Sequence, residues 1–417
     1  MPSESFPTWA MLPFPALILA IAVLPMAAPR AWERRWVQAV VMAVCGLPIV
    51  GLFLATSRTR ALVEATTSYL SFVSTLGALY VTSGGVHVAG DIEPKPSTNV
   101  ALVALGAALA SLVGTTGASM LMIRLYLRIN RRREHRKHLV PFFILAVANA
   151  GGMLTPLGDP PLLVGYIGGV PFFWTLRLFP AWLLYNGTFA AALYVVDRRA
   201  YARETTATID RSRADVVPVK VTGRRNVALM LAVVPAALLP LGYREVAMAI
   251  IAAASIAMTP RTVHEANHFT YAPIVEVAFV FAGVFACLGP IEVLLAAHAP
   301  LLPLQKAWQL FWAAGIASSI LDNAPTYAAF SAVARGLSAG AGLVAGIDPY
   351  KLAALSIGSV AMGATTYIGN GPNLMVKAMA ERQGFRMPTF AGYALFAFIA
   401  MVPAHIVMTA VLLALDR

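Results

Sequence analysis

Two aspartates sit beside prolines inside otherwise apolar, helix-length sequence: Asp159 in Leu157-Gly158-Asp159-Pro160-Pro161, and Asp322 in Leu321-Asp322-Asn323-Ala324-Pro325. A carboxylate in sequence of membrane-spanning hydrophobicity is costly to keep, and where one occurs it points to ion or proton chemistry. Around the pair lie hard oxygen donors, the type that suits Na⁺. Hydroxyls come from Thr115, Thr116, Thr155, Thr326 and Thr366, and amides from Asn149, Asn323, Asn370 and Asn373. A group that is neutral when protonated and negative when it holds Na⁺ is the minimum needed to exchange one cation for the other. Both aspartates also read as helix N-caps ahead of a first-turn proline, a purely structural role. Glu276, in Pro273-Ile274-Val275-Glu276-Val277, is a candidate second proton carrier or an interfacial residue. Cys45 and Cys287 lie in apolar stretches without neighbouring Cys or His, which points to packing. No resident cofactor is expected. The metal expected is Na⁺ itself, at Asp159, Asp322 and nearby backbone carbonyls.

The elements that must position these groups recur. Gly114-Thr115-Thr116-Gly117 and Asp322-Asn323-Ala324-Pro325 stand 208 residues apart, and Gly158-Asp159-Pro160-Pro161 and Gly369-Asn370-Gly371-Pro372 stand 211 apart. Helix breakers at hydrocarbon depth free backbone groups that protein, ions or water must satisfy. Such breaks in matching positions of two halves are a pointer to a carrier's binding site, because half-helix ends and unpaired carbonyls then face the cargo.

With 59% hydrophobic and 12% charged residues and a mean hydropathy of +0.73, the chain reads as an all-α polytopic membrane protein. The spacing predicts two inverted-topology repeats, residues 1–197 and 226–417, each with five transmembrane helices plus one re-entrant helical hairpin. The hairpins fall at about 98–128 and 304–335, and one broken helix per repeat falls at about 139–168 and 351–380. Each hairpin tip is expected to pack on the broken helix of its own half, giving two pseudo-symmetric clusters. Apolar spans are also expected over Leu12 to Ala28, Trp36 to Ala55 and Tyr69 to Ala89.

Charge sets the topology. Residues 1–11 hold no Lys or Arg, whereas Arg30, Arg34 and Arg35 follow the first apolar segment, so the N-terminus is expected outside. That choice places 23 of the 31 Lys and Arg inside and 8 outside. The inner set includes Lys95, the run 131–137 and the basic linker 198–225, expected as a solvated cytoplasmic segment. The outer set includes Arg58, Arg244, Arg335, Lys351 and Arg417. The net charge of +12 therefore resides in loops, which excludes nucleic acid as the partner and leaves the lipid bilayer of a bacterial-type inner membrane.

The stretch Asn149-Ala150-Gly151-Gly152-Met153-Leu154-Thr155-Pro156-Leu157-Gly158-Asp159-Pro160-Pro161-Leu162, with Leu321-Asp322-Asn323-Ala324-Pro325-Thr326 and Thr365-Thr366-Tyr367-Ile368-Gly369-Asn370-Gly371-Pro372-Asn373, resembles the ion transporter superfamily. The resemblance is to its citrate transporter and sodium/proton antiporter branch. That superfamily includes D-type sodium/proton antiporters, arsenite exporters and sodium-coupled dicarboxylate carriers. The resemblance implies inverted repeats with re-entrant hairpins, a homodimer, and elevator-like movement of a transport domain. Dicarboxylate carriers place Ser-Asn-Thr at each tip, whereas here Gly114-Thr115-Thr116 and Asp322-Asn323-Ala324 stand there. An aspartate facing a substrate carboxylate at 4 Å opposes it by about 4 kcal/mol at an effective dielectric of 20. The expectation is thus a Na⁺/H⁺ antiporter, with cation-coupled transport of citrate or another small organic anion as the alternative. No Ser/His, Cys/His or metal-ligand constellation supports an enzyme.

Overall fold

The computed structural model describes residues 6–32 and 34–416. Residues 1–5 and Arg417, which bear on the sidedness of the termini, lie outside the described residues. The first half contributes helices α1 (Pro13–Ala27), α2 (Arg35–Ala55), α3 (Thr59–Gly84), α4 (Pro96–Val113), α5 (Thr115–Ile129), α6 (Leu139–Ala146), α7 (Pro160–Ile167) and α8 (Phe179–Tyr201). The second contributes α9 (Arg224–Ala237), α10 (Tyr243–Met258), α11 (Ala272–His298), α12 (Ala307–Ile320), α13 (Asn323–Gly336), α14 (Pro349–Met362), α15 (Gly371–Arg382) and α16 (Phe390–Leu415). Element for element the order is the same, and short helices and turns fill the connections. Among the described residues six segments are long and apolar enough to cross a membrane: Thr8–Pro25, Arg35–Ala55, Pro96–Val113, Phe172–Tyr201, Ala272–Leu301 and Phe390–Leu415. Helices suit such sequence because they satisfy their backbone groups internally.

The breaks are local. α4 and α5 meet at Gly114, whose φ of 80° is a conformation glycine adopts without strain, and α12 and α13 meet at Leu321 and Asp322. α6 and α7 are separated by a 3₁₀ turn, Ala150–Leu154, and an extended Thr155. α14 and α15 are separated by the turn Gly363–Thr365 and an extended Thr366.

Two hydrophobic bodies result. One core gathers α4 to α8 and α12 to α16 around Tyr126, Phe143, Tyr185, Phe311, Tyr327 and Tyr393. Another packs α1, α2, α3 and α11 around Leu17, Ile49, Phe53, Phe72 and Phe281, and a smaller cluster ties α9 and α10 to the end of α3. His405 is buried between Tyr185, Phe311 and Trp312, with its Nδ1 hydrogen-bonded to the Tyr185 hydroxyl at 2.7 Å.

Two expectations need correction. The helix of the third apolar segment stops at Gly84, not Ala89, because His87–Asp91 (β1) leaves as a strand. The linker is folded: it carries a helix, Thr206–Ala214, and a strand, Val217–Thr222 (β2), antiparallel to β1 with His87 opposite Thr222 and a bulge between Ala89 and Asp91. Charge holds it in place. Asp215 accepts from Arg131 at 2.8 Å and from Arg132, and these guanidiniums hold its carboxyl well below the usual carboxylate range. Arg213 donates to Glu93 at 2.8 Å, and Glu204 accepts the backbone N–H of Glu134 and His135. The Lys95, 131–137 and 198–225 segments therefore share one face of the molecule. Phe6 under Arg58 (4.0 Å), and Asp416 capping Ala307 and Trp308, are contacts within the other set.

Candidate functional site

The site starts with backbone. At each helix end the last carbonyls have no intrahelical donor, and the extended residue of each broken segment supplies one. Thr155 Oγ1 donates to the Ser111 carbonyl near the end of α4, and Thr366 Oγ1 donates at 2.5 Å to the Ser319 carbonyl near the end of α12. The serines reciprocate: Ser111 Oγ donates to Gly151 O at 2.5 Å, and Ser319 Oγ to Met362 O at 3.0 Å. The Thr115 N–H donates to Gly158 O at 2.8 Å, fixing the first tip on the first broken segment. The approach is close enough to require glycine. A Cβ at Gly158 would come within 2.1 Å of Gly152 O, and one at Gly369 within 2.5 Å of Gly363 O.

On that frame the Asp159 carboxylate is the convergence point, 1% exposed. Its Oδ1 accepts from Thr115 Oγ1 at 2.9 Å and from Asn370 Nδ2 at 3.2 Å, and its Oδ2 accepts from Asn323 Nδ2 at 2.8 Å. Hydrogen bonds to a charged acceptor contribute about 1.5–3 kcal/mol each, which offsets the burial of the group. The Asn370 amide also reaches the Ala148 carbonyl and Asn149 Oδ1, both at 3.1 Å. Asn149 Nδ2 donates to Asn373 Oδ1 at 2.7 Å, and Asn373 Nδ2 to the Gly363 and Thr366 carbonyls at 2.9 Å. Asn323 Oδ1 is buried and has no hydrogen-bond partner among the described residues. A vacant acceptor beside a carboxylate is a pair of oxygens that could hold a cation.

The two clusters expected, one per half, are a single network. Thr115 and Asn323 stand at the same position of their respective hairpins, and both donate to the one carboxylate. The aspartates separate in role. Asp159 occupies an N-cap position but caps nothing, whereas Asp322 Oδ1 accepts the Ala324 N–H at 3.1 Å as a true cap. Thr326 Oγ1 turns back to the Asp322 carbonyl at 2.8 Å. Thr155, Thr366 and Thr326 are thus committed to backbone.

Asp322, Thr116, Asn323 and Asn370 help line a cavity of about 1030 Å³ between the two bodies. Ile21, Leu76, Leu79, Val280 and Phe281 form one wall, and Leu374, Met375 and Met379 the other. Glu276 also faces it and accepts from Trp32 Nε1 at 2.9 Å. Arg124 and Arg382 line it as well, and Arg124 donates to Asn267. Sequence reasoning missed Ser111 and Ser319, although a serine four residues before Thr115 and Asn323 alike was a readable signal.

Spanning-length apolar helices, paired helix breaks and a polar centre sealed between them define a polytopic α-helical membrane transporter. The chain belongs to the family described as "Putative citrate transport", whose model matches residues 3–413, and is a citrate-transporter-like secondary transporter. No curated protein matches it.

Proposed function

We propose that this carrier exchanges Na⁺ for H⁺, with Asp159 the carboxylate that is protonated and Na⁺-bound in turn. One observation carries the reading: both hairpins reach a buried carboxylate, and the Asn323 amide that donates to it keeps an Oδ1 with no hydrogen-bond partner among the described residues. Na⁺ bridging those oxygens satisfies both, and protonation of Asp159 releases it. Asp322 and Thr116, on the cavity wall, give the ion its approach, and Glu276 is a second proton acceptor on the path. The body of α4 to α8 and α12 to α16 carries the site past α1 to α3 and α9 to α11 in an elevator motion. The two halves act as inverted repeats, with α4/α5 and α12/α13 as re-entrant hairpins. The latter body also forms a homodimer, in a bacterial-type inner membrane with the N-terminus outside and the linker cytoplasmic.

Proteoliposomes loaded with a pH dye test this reading. Added Na⁺ or Li⁺ drives proton flux in the native protein and not in Asp159→Asn, while Asp322→Asn slows it. Absence of cation-driven flux in the native protein ends the proposal.

A second reading is cation-coupled carriage of citrate or another di- or tricarboxylate. The cavity favours it: about 1030 Å³ is far more than a bare ion needs, and Arg124 and Arg382 line it. Uptake of labelled citrate that requires Na⁺, without net exchange of Na⁺ for H⁺, selects this reading.

A further inference from the structure

The linker's charges fall into two groups. Its acids are engaged: Glu204 and Asp215 hold the 131–137 run, and Asp210 lies 3.8 Å from Arg213. Arg213 is taken by Glu93. Seven further cations, Arg198, Arg199, Arg203, Arg211, Lys220, Arg224 and Arg225, are exposed and meet no carboxylate among the described residues. Their depth follows from the chain. Arg198 and Arg199 are in the last turn of α8, whose segment is long enough to span, and Arg224 and Arg225 open α9. β2 lies between those helix ends and pairs with β1, which emerges from α3 at Gly84. The ends of α3, α8 and α9 thus flank the small sheet, and the end of α8 marks the level at which a spanning-length segment leaves hydrocarbon. On β2 Val219 and Val221 share one face of the strand and are 43% and 45% exposed, while the bulge opposite Gly90 turns Val217 to the face of Lys220.

We infer that this two-stranded sheet is an interfacial docking surface for anionic phospholipid, with the Val219 and Val221 face set into the acyl boundary and the Lys220, Arg224 and Arg225 cations on phosphate headgroups. The charge selects the occupant. A juxtamembrane cluster without internal counter-ions is attracted to an anionic leaflet and not to a zwitterionic one. An apolar stripe in such a cluster belongs in the headgroup region. The alternative occupant is a second copy of the chain, paired along the open edge of β2.

Full-length protein with Cys45→Ser, Cys287→Ser and Val219→Cys, labelled with an environment-sensitive dye, reads both. In nanodiscs of phosphatidylglycerol the dye shifts to the blue and is quenched by lipids nitroxide-labelled high on the acyl chain. In phosphatidylcholine nanodiscs both effects fall severalfold, and inorganic phosphate reproduces neither. Adding Lys220→Gln, Arg224→Gln and Arg225→Gln removes most of the difference between the lipids. Native mass spectrometry of the unlabelled protein then shows fewer retained phosphatidylglycerol molecules in that variant than in the native chain, a count that stays meaningful if the dye perturbs the strand. Equal quenching in both lipids, or a signal that follows protomer number per disc rather than lipid charge, overturns the inference.

Discussion

Superposed by sequence position, the halves of this carrier agree in their framework and part ways in their charges. The Thr155 bond to Ser111 is repeated by Thr366 and Ser319, and the Gly152/Gly158 contact by Gly363/Gly369. At the positions that carry chemistry the match fails. Asp159 corresponds to Asn370, and the Gly114-Thr115 tip to Asp322-Asn323. Two similar frameworks therefore build one polar centre, in which Asp159 of the first half meets the amides of Asn323 and Asn370 of the second. Asp159 and Asn370 touch each other across the halves at 3.2 Å.

That contact offers the sharpest way to break the comparison. If equivalent positions are geometrically interchangeable, a carboxylate on either side serves the same centre. Asp159→Asn is expected to lower Na⁺-driven proton flux by at least 100-fold, since an amide cannot give up and regain a proton near neutrality; removing a group that reacts directly costs on that order or more. Asn370→Asp in the same chain restores flux to within about tenfold of native. Dye-based flux in proteoliposomes measures both. Loss without rescue shows that the halves differ in more than charge.

The next effect concerns the two ends of the molecule. Asp197, at the end of α8, receives Asn99 Nδ2 at 2.8 Å and lies 2.6 Å from the guanidinium of Arg133, both side chains at most 1% exposed. Asp416, at the end of α16, accepts the N–H of Ala307 and Trp308 at 3.3 and 3.4 Å. Each ties a last helix to the start of its own half's hairpin. The first half uses a buried ion pair where the second uses a helix cap. Asp197→Asn leaves the buried Arg133 with Glu204 alone, 3.5 Å away, so its cost is expected at the low end of the about 3–5 kcal/mol that breaking a buried pair takes. Removing a cap costs about 1 kcal/mol, the expectation for Asp416→Ala, since an asparagine oxygen would accept the same N–H groups. Thermal unfolding in detergent compares them, and equal losses would refute the distinction.

Much of the framework was legible because breakers are rare in apolar sequence. Gly114, Gly158 with Pro160 and Pro161, and Gly369 with Pro372 mark breaks where the helices in fact part. Asp-Pro-Pro and Asp-Asn-Ala-Pro both place an aspartate at an N-cap, yet only Asp322 caps: Pro160 and Pro161 leave the first two positions after Asp159 without an N–H, and donors 44, 164 and 211 residues away take its carboxylate instead. Long-range partners of that kind leave no local signature. Merging of the two clusters was hidden for the same reason, as no spacing within one half reveals that Asn323 and Asn370 reach into the other. The linker misled in the opposite sense: its basic composition reads as solvated chain, but Asp215, Glu204 and the β1 pairing fix it through acids few enough to be overlooked.

The smallest effect tests the shared framework itself. Thr155→Val and Thr366→Val keep side-chain volume and delete a single hydroxyl in each half. The loss strands the Ser111 or the Ser319 carbonyl, each in the last turn of its helix with no other donor in reach of the ladder. Each also removes the acceptor used by backbone N–H groups, Leu157 at 3.2 Å in the first half and Ile368 and Gly369 at 3.3 and 3.2 Å in the second. Stranding buried backbone groups costs about 1–3 kcal/mol, so both variants are expected to melt lower by similar amounts. Neither hydroxyl touches the Asp159 carboxylate, and the Na⁺ concentration giving half-maximal flux should move less than about twofold in either. A large shift confined to Thr366→Val would mean that the second half's amides depend on this anchor in a way the first half's carboxylate does not, since the Thr366 carbonyl is what Asn373 holds while Asn373 holds Asn149.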